Sequence, residues 1–183
     1  MKKKRYVVDT NVLIAASAAD TTRPRDIDAA PDDPALRKKV WEWLNAFKNS
    51  TSRLILDDAY AIFKEYRNKL TEQDFGIQVV IHKWNTNCTD SVRVDFDADG
   101  NVILPSALVP VIHDLADRKM VAAALASRNE YGQGCVAFAS DSDWHGWEAK
   151  LKEHGVELEP IIEEWSRKKY EEKLRKKARR QRT

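Results

Sequence analysis

The chain has 183 residues and a mass of 21.0 kDa, the size of one ordinary domain. Its 43% hydrophobic and 9% aromatic residues exclude a wholly disordered chain. The mean hydropathy is −0.59, and no apolar run approaches the roughly 20 residues that span a bilayer, so we expect no membrane protein.

The cysteine content and the start of the chain predict a cytoplasmic location. Cys88 and Cys135 are too few and too widely spaced for a disulfide framework or a cysteine metal site. The basic start is followed by a short apolar stretch that Asp9 interrupts, which is not the pattern of a secretory signal.

Charge is unevenly distributed along the chain. Residues 166–183 contain ten Lys or Arg and two Glu, whereas acidic side chains are in excess over residues 1–165. A basic tail on an acidic body is typical of a nucleic-acid contact or of a solubilising tail. Because an acidic body repels phosphate, it would need cations to bind nucleic acid.

The first half of the chain alternates apolar runs with helical patterns. Residues 5–8 predict a buried strand, and Asp9 and Thr10 can cap a helix over 11–18. Three prolines within 20–34 indicate a loop, and Pro34 begins a helix to about residue 49. A strand over 53–56 follows. Asp57 and Asp58 then cap a helix that ends near residue 70, and Thr71 begins a helix to about residue 84.

The second half begins with a hairpin signal. Apolar residues alternate on both sides of Asp99-Gly100, which predicts a β-hairpin over 91–104. The pattern then predicts a helix over 114–128, a core strand over 134–139, a short helix over 147–154 and a last strand over 156–158. Pro160 begins a terminal helix with early acids and late bases, as the helix dipole favours.

Strands that alternate with helices predict an α/β protein with a mostly parallel central sheet and helices on both faces, which is a three-layer α/β/α sandwich. The hairpin is then an insertion at one sheet edge. We assign a core domain to residues 1–159, with the 91–104 insertion, and a basic C-terminal helical tail to residues 160–183.

Several acidic residues follow strands or begin helices. Asp9 and Asp141 follow two predicted strands, and ligands of open α/β sheets bind beyond such strand ends. Glu65 lies in the helix after the second strand, Asp117 lies near the start of a later helix, and Asp143 follows Asp141. Crowded carboxylates raise their pKa or recruit a cation, and oxygen-only sites suit Mg²⁺ or Mn²⁺. Such ions activate water and stabilise displacement at phosphorus.

Each acid also has a purely structural interpretation. A strand-end Asp often only caps a helix, and Glu65, between Lys64 and Arg67, has the surroundings of a solvated helix residue. Asp114 competes with Asp117 for the same role, although it is also well placed to cap this helix.

Four segments contain most of these acids: YVVDTNVLI at 6–14, AIFKE at 61–65, DRKMVAAA at 117–124 and ASDSDW at 139–144. In this order they resemble the motifs of PIN-domain ribonucleases. The resemblance covers roughly residues 4–159, and it implies a three-layer α/β/α fold with Mg²⁺- or Mn²⁺-dependent endoribonuclease activity.

The resemblance also implies roles for individual residues. Catalysis and metal binding fall to Asp9, Glu65, Asp117 and Asp141, with Asp143 as an outer or second-metal ligand. Thr10, Asn11 and Ser140 would hold these carboxylates or a water by hydrogen bonds.

The resemblance implies partners as well. Many relatives are toxins of VapC type, so it implies an RNA substrate, a small antitoxin protein and a homodimer. The loop 20–34, the hairpin and the tail exceed what a minimal toxin of this family needs.

Other functions remain open at this point. The chain could be a catalytically inactive PIN-like module that binds RNA or protein. A phosphatase of the haloacid dehalogenase type needs an acid two residues after the first Asp, where this chain has Asn11. A receiver domain needs a phosphoacceptor that Asp57-Asp58 fits poorly.

Aromatic residues and the tail allow two interpretations each. We expect Trp144 in the core, whereas Trp147 could stack on a base. His145 could assist proton transfer or could be an exposed loop residue. In the tail, helical spacing would let an apolar face dock on the body, and the alternative is phosphate binding by the basic residues. That apolar face consists of Ile161, Trp165, Tyr170 and Leu174.

Overall fold

The computed structural model describes residues 3–20 and 27–180, and in these ranges the chain forms five strands and seven helices. The elements are β1 (Arg5–Val8), α1 (Thr10–Ala18), α2 (Pro34–Lys48), β2 (Arg53–Asp57), α3 (Ala61–Lys69), α4 (Phe75–Asn85), β3 (Thr89–Val92), α5 (Leu115–Tyr131), β4 (Gly134–Phe138), α6 (Trp144–Glu153), β5 (Val156–Pro160) and α7 (Glu163–Arg180).

The five strands form one parallel sheet in the order β3-β2-β1-β4-β5. The chain therefore builds the sheet outwards from β1 to β3 and then returns to place β4 on the other side of β1. Strand order reverses between β1 and β4, and the loops that leave these two strands diverge there to open a crevice. This parallel sheet confirms the predicted fold class.

Helices cover both faces of the sheet. Val7 is the register partner of Val136, so these two side chains share a face with Gly134, against which α5 packs. Tyr6 points to the opposite face, where its ring contacts Trp43 and Phe47 of α2. The helices α1 and α4 pack beside α2 on that face. The molecule is thus the predicted three-layer α/β/α sandwich.

The hairpin is smaller than the predicted 91–104 insertion. Thr89–Val92 form β3, which pairs in parallel with β2 at the sheet edge, and the antiparallel pairing is a single bridge between Phe96 and Val102. The Asp97 carboxylate accepts hydrogen bonds from the backbone amides of Asp99 and Asn101 and so closes the turn. Alternating apolar residues indicate a strand but not its partner, which explains the difference.

Helix boundaries differ from the predicted ones by a few residues. The helix α3 begins at Ala61, and the Asp57 carboxylate caps it by accepting from the amides of Ala61 and Ile62, each at 2.7 Å. The helix α6 begins at Trp144, before the predicted start at residue 147. Of the predicted loop 20–34, residues 27–33 form no helix or strand, and residues 21–26 lie outside the described ranges.

The tail forms the helix α7, which begins at Glu163 and not at the predicted Pro160, because Pro160 is the last residue of β5. The first half of α7 docks on the body. Ser166 is buried and its hydroxyl lies 2.8 Å from Nε2 of His145, while Tyr170 packs over Gly146. Ile161 and Trp165 are half-buried against the core, as predicted, but Leu174 is 48% exposed and does not dock. None of the described helices has the length and apolarity needed to cross a bilayer.

Candidate metal centre

Three aspartates meet where the strand order reverses. Asp9 directly follows β1, Asp141 lies in the loop after β4, and Asp117 lies in the first turn of α5. Each offers a carboxylate oxygen, and these three oxygens lie within 4.8 Å of one another. We call this group the aspartate cluster.

Asp9 is held on both of its carboxylate oxygens. Oδ1 accepts from the backbone amide of Asn11 at 2.6 Å, which caps α1, and Oδ2 accepts from the indole Nε1 of Trp144 at 2.6 Å. The residue is only 2% exposed. Asp9 is therefore both the helix cap and a member of the cluster. Trp144 is fully buried, as expected, and in addition orients Asp9.

Asp117 enters the cluster, and Asp114 does not. Asp114 is the exposed cap of α5, because its Oδ1 accepts from the Ala116 amide at 2.7 Å. The Oδ2 of Asp117 is buried and has no hydrogen-bond partner within residues 3–20 and 27–180. A buried carboxylate oxygen without a donor is costly unless the group is protonated or binds a cation.

Burial and mutual repulsion raise the pKa values of the cluster. Burial, followed by the charges of Asp9 and Asp141, raises the pKa of Asp117 to about 9. Burial and then the charge of Asp141 raise the pKa of Asp9 to about 7, against the hydrogen bonds from Asn11 and Trp144. Burial also raises the pKa of Asp141. Without a metal ion, the aspartate cluster therefore retains protons at neutral pH. A bound dication would displace these protons.

Glu65 lies beside the cluster and is held by two other groups. Its Oε1 accepts from the Thr10 hydroxyl, and its Oε2 forms an ion pair with Nζ of Lys119. Its charge still raises the pKa values of Asp9 and Asp117. The structure thus places Glu65 near the three clustered oxygens without bringing it among them.

Asp143 connects the cluster to the tail. Its backbone amide donates to Oδ1 of Asp141 at 2.9 Å, which positions that carboxylate. Its own carboxylate accepts from Nζ of Lys173 at 2.5 and 2.7 Å. Asp143 is therefore bound to α7 and does not join the three clustered oxygens.

The three predicted supporting residues have different contacts. Thr10 holds Glu65, and Asn11 contacts Asp9 through its backbone amide. Ser140 lines a groove between the loop after β4 and α7.

Two aromatic side chains face the core and α7. Trp147 is 5% exposed and packs edge-on against Trp144, so the idea that it stacks on a base is wrong. His145 is also buried, against Phe138 and Ser166, and burial lowers its pKa. It faces α7, and the expectation of an exposed loop residue is wrong.

Sequence reasoning missed three contacts of this site. They are the indole donor of Trp144 to Asp9, the Lys119–Glu65 ion pair and the Lys173–Asp143 ion pair. The position of Lys119 two residues after Asp117 was the one local signal, and lysine at such a position is common on any helix.

The donor set suits a small hard cation. It consists of carboxylate oxygens, which Mg²⁺ and Mn²⁺ prefer, and it contains no sulfur or imidazole ligand within the described ranges. The buried, unpartnered Oδ2 of Asp117 fits the same assignment, since an ion would supply its missing partner.

Comparisons of the chain with protein-family models, with curated proteins and with solved structures find no match. The class of protein is therefore defined by fold and site alone: a three-layer α/β/α protein with an aspartate cluster at the reversal of strand order.

Proposed function

We propose that this protein is a Mg²⁺- or Mn²⁺-dependent endoribonuclease that hydrolyses phosphodiester bonds of RNA. The observation that carries the proposal is the convergence of Asp9, Asp117 and Asp141 on one small volume at the reversal of strand order. Three of the four motifs that resemble PIN-domain ribonucleases each contribute one of these aspartates, which supports RNA as the substrate.

The three aspartates would hold the ion, and the surrounding residues would fix them. A bound dication would neutralise charge at phosphate and lower the pKa of a bound water molecule. Trp144 and the Asn11 amide hold both oxygens of Asp9, and the Asp143 amide holds Asp141. Glu65 and Asp143, each paired with a lysine, would complete the acidic surroundings from outside the cluster.

The test is cleavage of structured and unstructured RNA in the presence of Mn²⁺. We expect the wild-type chain to cut, and Asp9→Asn or excess EDTA to reduce the rate more than about 100-fold through loss of the ion. Asp28→Asn, at an exposed position, is the matched control and should cut like wild type. Cleavage that persists in both EDTA and Asp9→Asn would contradict the metal mechanism.

A second candidate is a catalytically inactive PIN-like module that binds RNA or protein. The two lysine ion pairs favour it, because Lys119 and Lys173 already compensate Glu65 and Asp143 without an ion. Calorimetric titration with Mn²⁺ separates the candidates. A nuclease binds Mn²⁺ at the cluster and loses that binding in Asp141→Asn, whereas a module with idle carboxylates does not bind Mn²⁺ tightly.

The toxin role, the antitoxin partner, the homodimer and the cytoplasmic location stay predictions that depend on the nuclease. Expression of wild-type protein in a bacterial host should arrest growth, and expression of Asp9→Asn should not. A small partner protein that relieves the arrest would identify the antitoxin, and light scattering would give the oligomeric state.

A further inference from the structure

A groove of about 560 Å³ lies next to the aspartate cluster. One wall is the loop after β4, where Ser140 and Ser142 flank Asp141. The other wall is a face of α7. A ligand in this groove would therefore contact the two residues that flank Asp141 in the chain.

The α7 wall carries a stripe of positive charge. Lys169, Lys173, Lys176 and Arg180 follow one another at intervals of three and four residues, which places them on one helix face with Lys177 at its edge. At 1.5 Å of rise per residue the stripe is about 16 Å long. We call these five residues the basic stripe.

Carboxylates pair with the first two lysines of the stripe. Glu172 is the acid that lines the groove, and Lys169 contacts it at 3.1 Å, while Lys173 is paired with Asp143. Lys176 and Lys177 form no salt bridge in the described part of the chain. Lys176 and Lys177 thus present positive charge to the groove.

The stripe lies beside a site that would otherwise repel a polyanion. Residues 1–165 are acidic in sum, and three aspartates crowd the end of the sheet. We propose that the basic stripe binds the phosphate backbone of single-stranded RNA and directs it past Ser140 and Ser142 to the aspartate cluster. This inference rests on the proposed function. It adds that the RNA substrate is single-stranded and that the basic stripe is the surface that binds it.

The size and chemistry of the groove favour one strand over two. Its volume is that of a pocket for a small ligand, which is the size of a few nucleotides. Half-buried Trp165 lies on the same face of α7 and lines the groove, with Nζ of Lys169 5.7 Å from its ring centroid. Basic grooves with aromatic side chains are the usual means of binding single strands.

The experiment measures binding by the full chain in the Asp9→Asn background, with EDTA, so that cleavage is absent. The probe is a fluorescein-labelled unstructured RNA of about 12 nucleotides, followed by anisotropy over a series of NaCl concentrations. The test variant adds Lys176→Gln, Lys177→Gln and Arg180→Gln, which lie in the second half of α7, beyond the docking contacts of Ser166 and Tyr170. We expect binding at least about tenfold weaker at low salt and a log–log salt slope shallower by about 2, at about 0.7 per phosphate contact.

The control variant removes the same charge from another face of the same helix, through Lys168→Gln, Arg175→Gln and Arg179→Gln. These positions lie about 100° around α7 from the stripe, so the slope should stay close to that of the parent. Equal losses in both triple variants would show an effect of overall charge and would overturn the groove assignment.

Three other outcomes would also overturn the proposal. They are a parent that does not bind the RNA, a duplex that binds as tightly as the single strand, and a poly-glutamate probe that binds in preference to RNA. The last would assign the groove to an acidic protein.

The two proposals fail separately. If the stripe variant alone loses RNA binding but wild type does not cut with Mn²⁺, the nuclease proposal fails and the binding surface stands. If wild type cuts RNA and both triple variants bind it equally well, the proposed role of the groove is wrong and the proposed nuclease function is retained.

Discussion

Burial and the charges of Asp9 and Asp141 act together on the carboxyl group of Asp117. Its Oδ2 is buried without a donor, and its pKa of about 9 lies far above the 3.8 of an ordinary aspartate. Asp9, next to it, has a pKa of about 7. Folding without a cation therefore requires these carboxyl groups to keep protons that the unfolded chain releases near pH 4.

This proton retention predicts that the metal-free protein becomes less stable as pH rises. Between about pH 5 and 8 the aspartate cluster binds more protons in the folded than in the unfolded state, and this lowers the free energy of unfolding as pH rises. Burial lowers the pKa of His145, which acts in the opposite direction up to the ordinary histidine pKa of 6.5. In Asp117→Asn the free energy of unfolding should fall less steeply with pH, by up to about 1.4 kcal/mol per pH unit. This variant should therefore be more stable than wild type at pH 8. Urea unfolding at both pH values, with EDTA, gives the measurement.

Asp114→Asn is the matched control for that experiment. It changes an exposed acid on the same helix, and Asn caps helices as well as Asp does, so stability should stay close to wild type. The charge of Asp114 is a lesser cause of the raised pKa values of Asp117 and Asp141, so the pH dependence should weaken only slightly. A wild-type protein whose stability is flat between pH 5 and 8 would argue against the crowded cluster.

Trp144 controls the orientation of Asp9 through a single hydrogen bond. Trp144→Phe keeps an aromatic ring in the core but removes the Nε1 donor to Oδ2 of Asp9. We expect Mn²⁺ affinity to fall about 10- to 100-fold, the usual effect of losing a group that holds a metal ligand. Calorimetric titration measures it.

Trp147→Phe makes the same chemical change in the neighbouring buried ring, which packs on Trp144 and donates to no cluster carboxylate. It should leave Mn²⁺ affinity within about twofold of wild type. Equal losses in both variants would mean that core packing, and not the hydrogen bond, maintains the site.

Among the elements, the packing of α5 on β4 sets the spacing of the cluster. The helix α5 carries Asp117 and β4 leads to Asp141, so the distance between these elements fixes the distance between the two carboxylates. The close approach requires Gly134, because a Cβ there would lie 2.0 Å from the backbone oxygen of Ala124. Gly132 has another role, since it ends α5 at a φ of +73° with open space around it.

Gly134→Ala should therefore cost more than Gly132→Ala. We expect about 2–3 kcal/mol from overpacking at Gly134, and about 1 kcal/mol from the left-handed backbone at Gly132. Urea unfolding compares them. Gly134→Ala should also weaken Mn²⁺ binding, because it pushes α5 away from β4, whereas Gly132→Ala should not. The reverse order of stabilities would contradict this account of the helix–sheet contact.

For the molecule as a whole, the parallel topology brings together carboxylates from distant parts of the chain. Asp9 and Asp141 meet because β1 and β4 are neighbours, although they lie far apart in sequence. The site exists only in the folded state, so an ion that binds it stabilises the whole fold.

Mn²⁺ should therefore raise the melting temperature. At a concentration of 100 times its Kd, the gain is about 2.7 kcal/mol, or about 5–10 °C for a domain of this size. Thermal unfolding followed by circular dichroism measures the shift. Asp99→Asn, in the exposed turn of the hairpin, should keep the full shift, and Asp141→Asn should lose most of it. A shift of equal size in both variants would place the ion elsewhere.

Much of the fold and of the cluster could be predicted from the sequence. The strand over residues 5–8, the α2 start at Pro34 and the strand that begins at Gly134 were predicted from local patterns, and the structure has them. Alternating strands and helices require a parallel sheet, and aspartates directly after strands must lie at its carboxyl edge. Periodicity and position along a strand are local properties, so the order of residues determines them.

The tertiary structure alone decided which other groups surround that edge. It placed residues 89–92 in the central sheet, buried Trp147, and bound Lys119 to Glu65 and Lys173 to Asp143. These contacts join distant residues, and long lysine side chains have many rotamers, so no spacing in the sequence specifies them. The sequence by itself determined that Asp9 and Asp141 lie at the carboxyl edge of the sheet, and the packing of α5, α6 and α7 decided what each carboxylate touches.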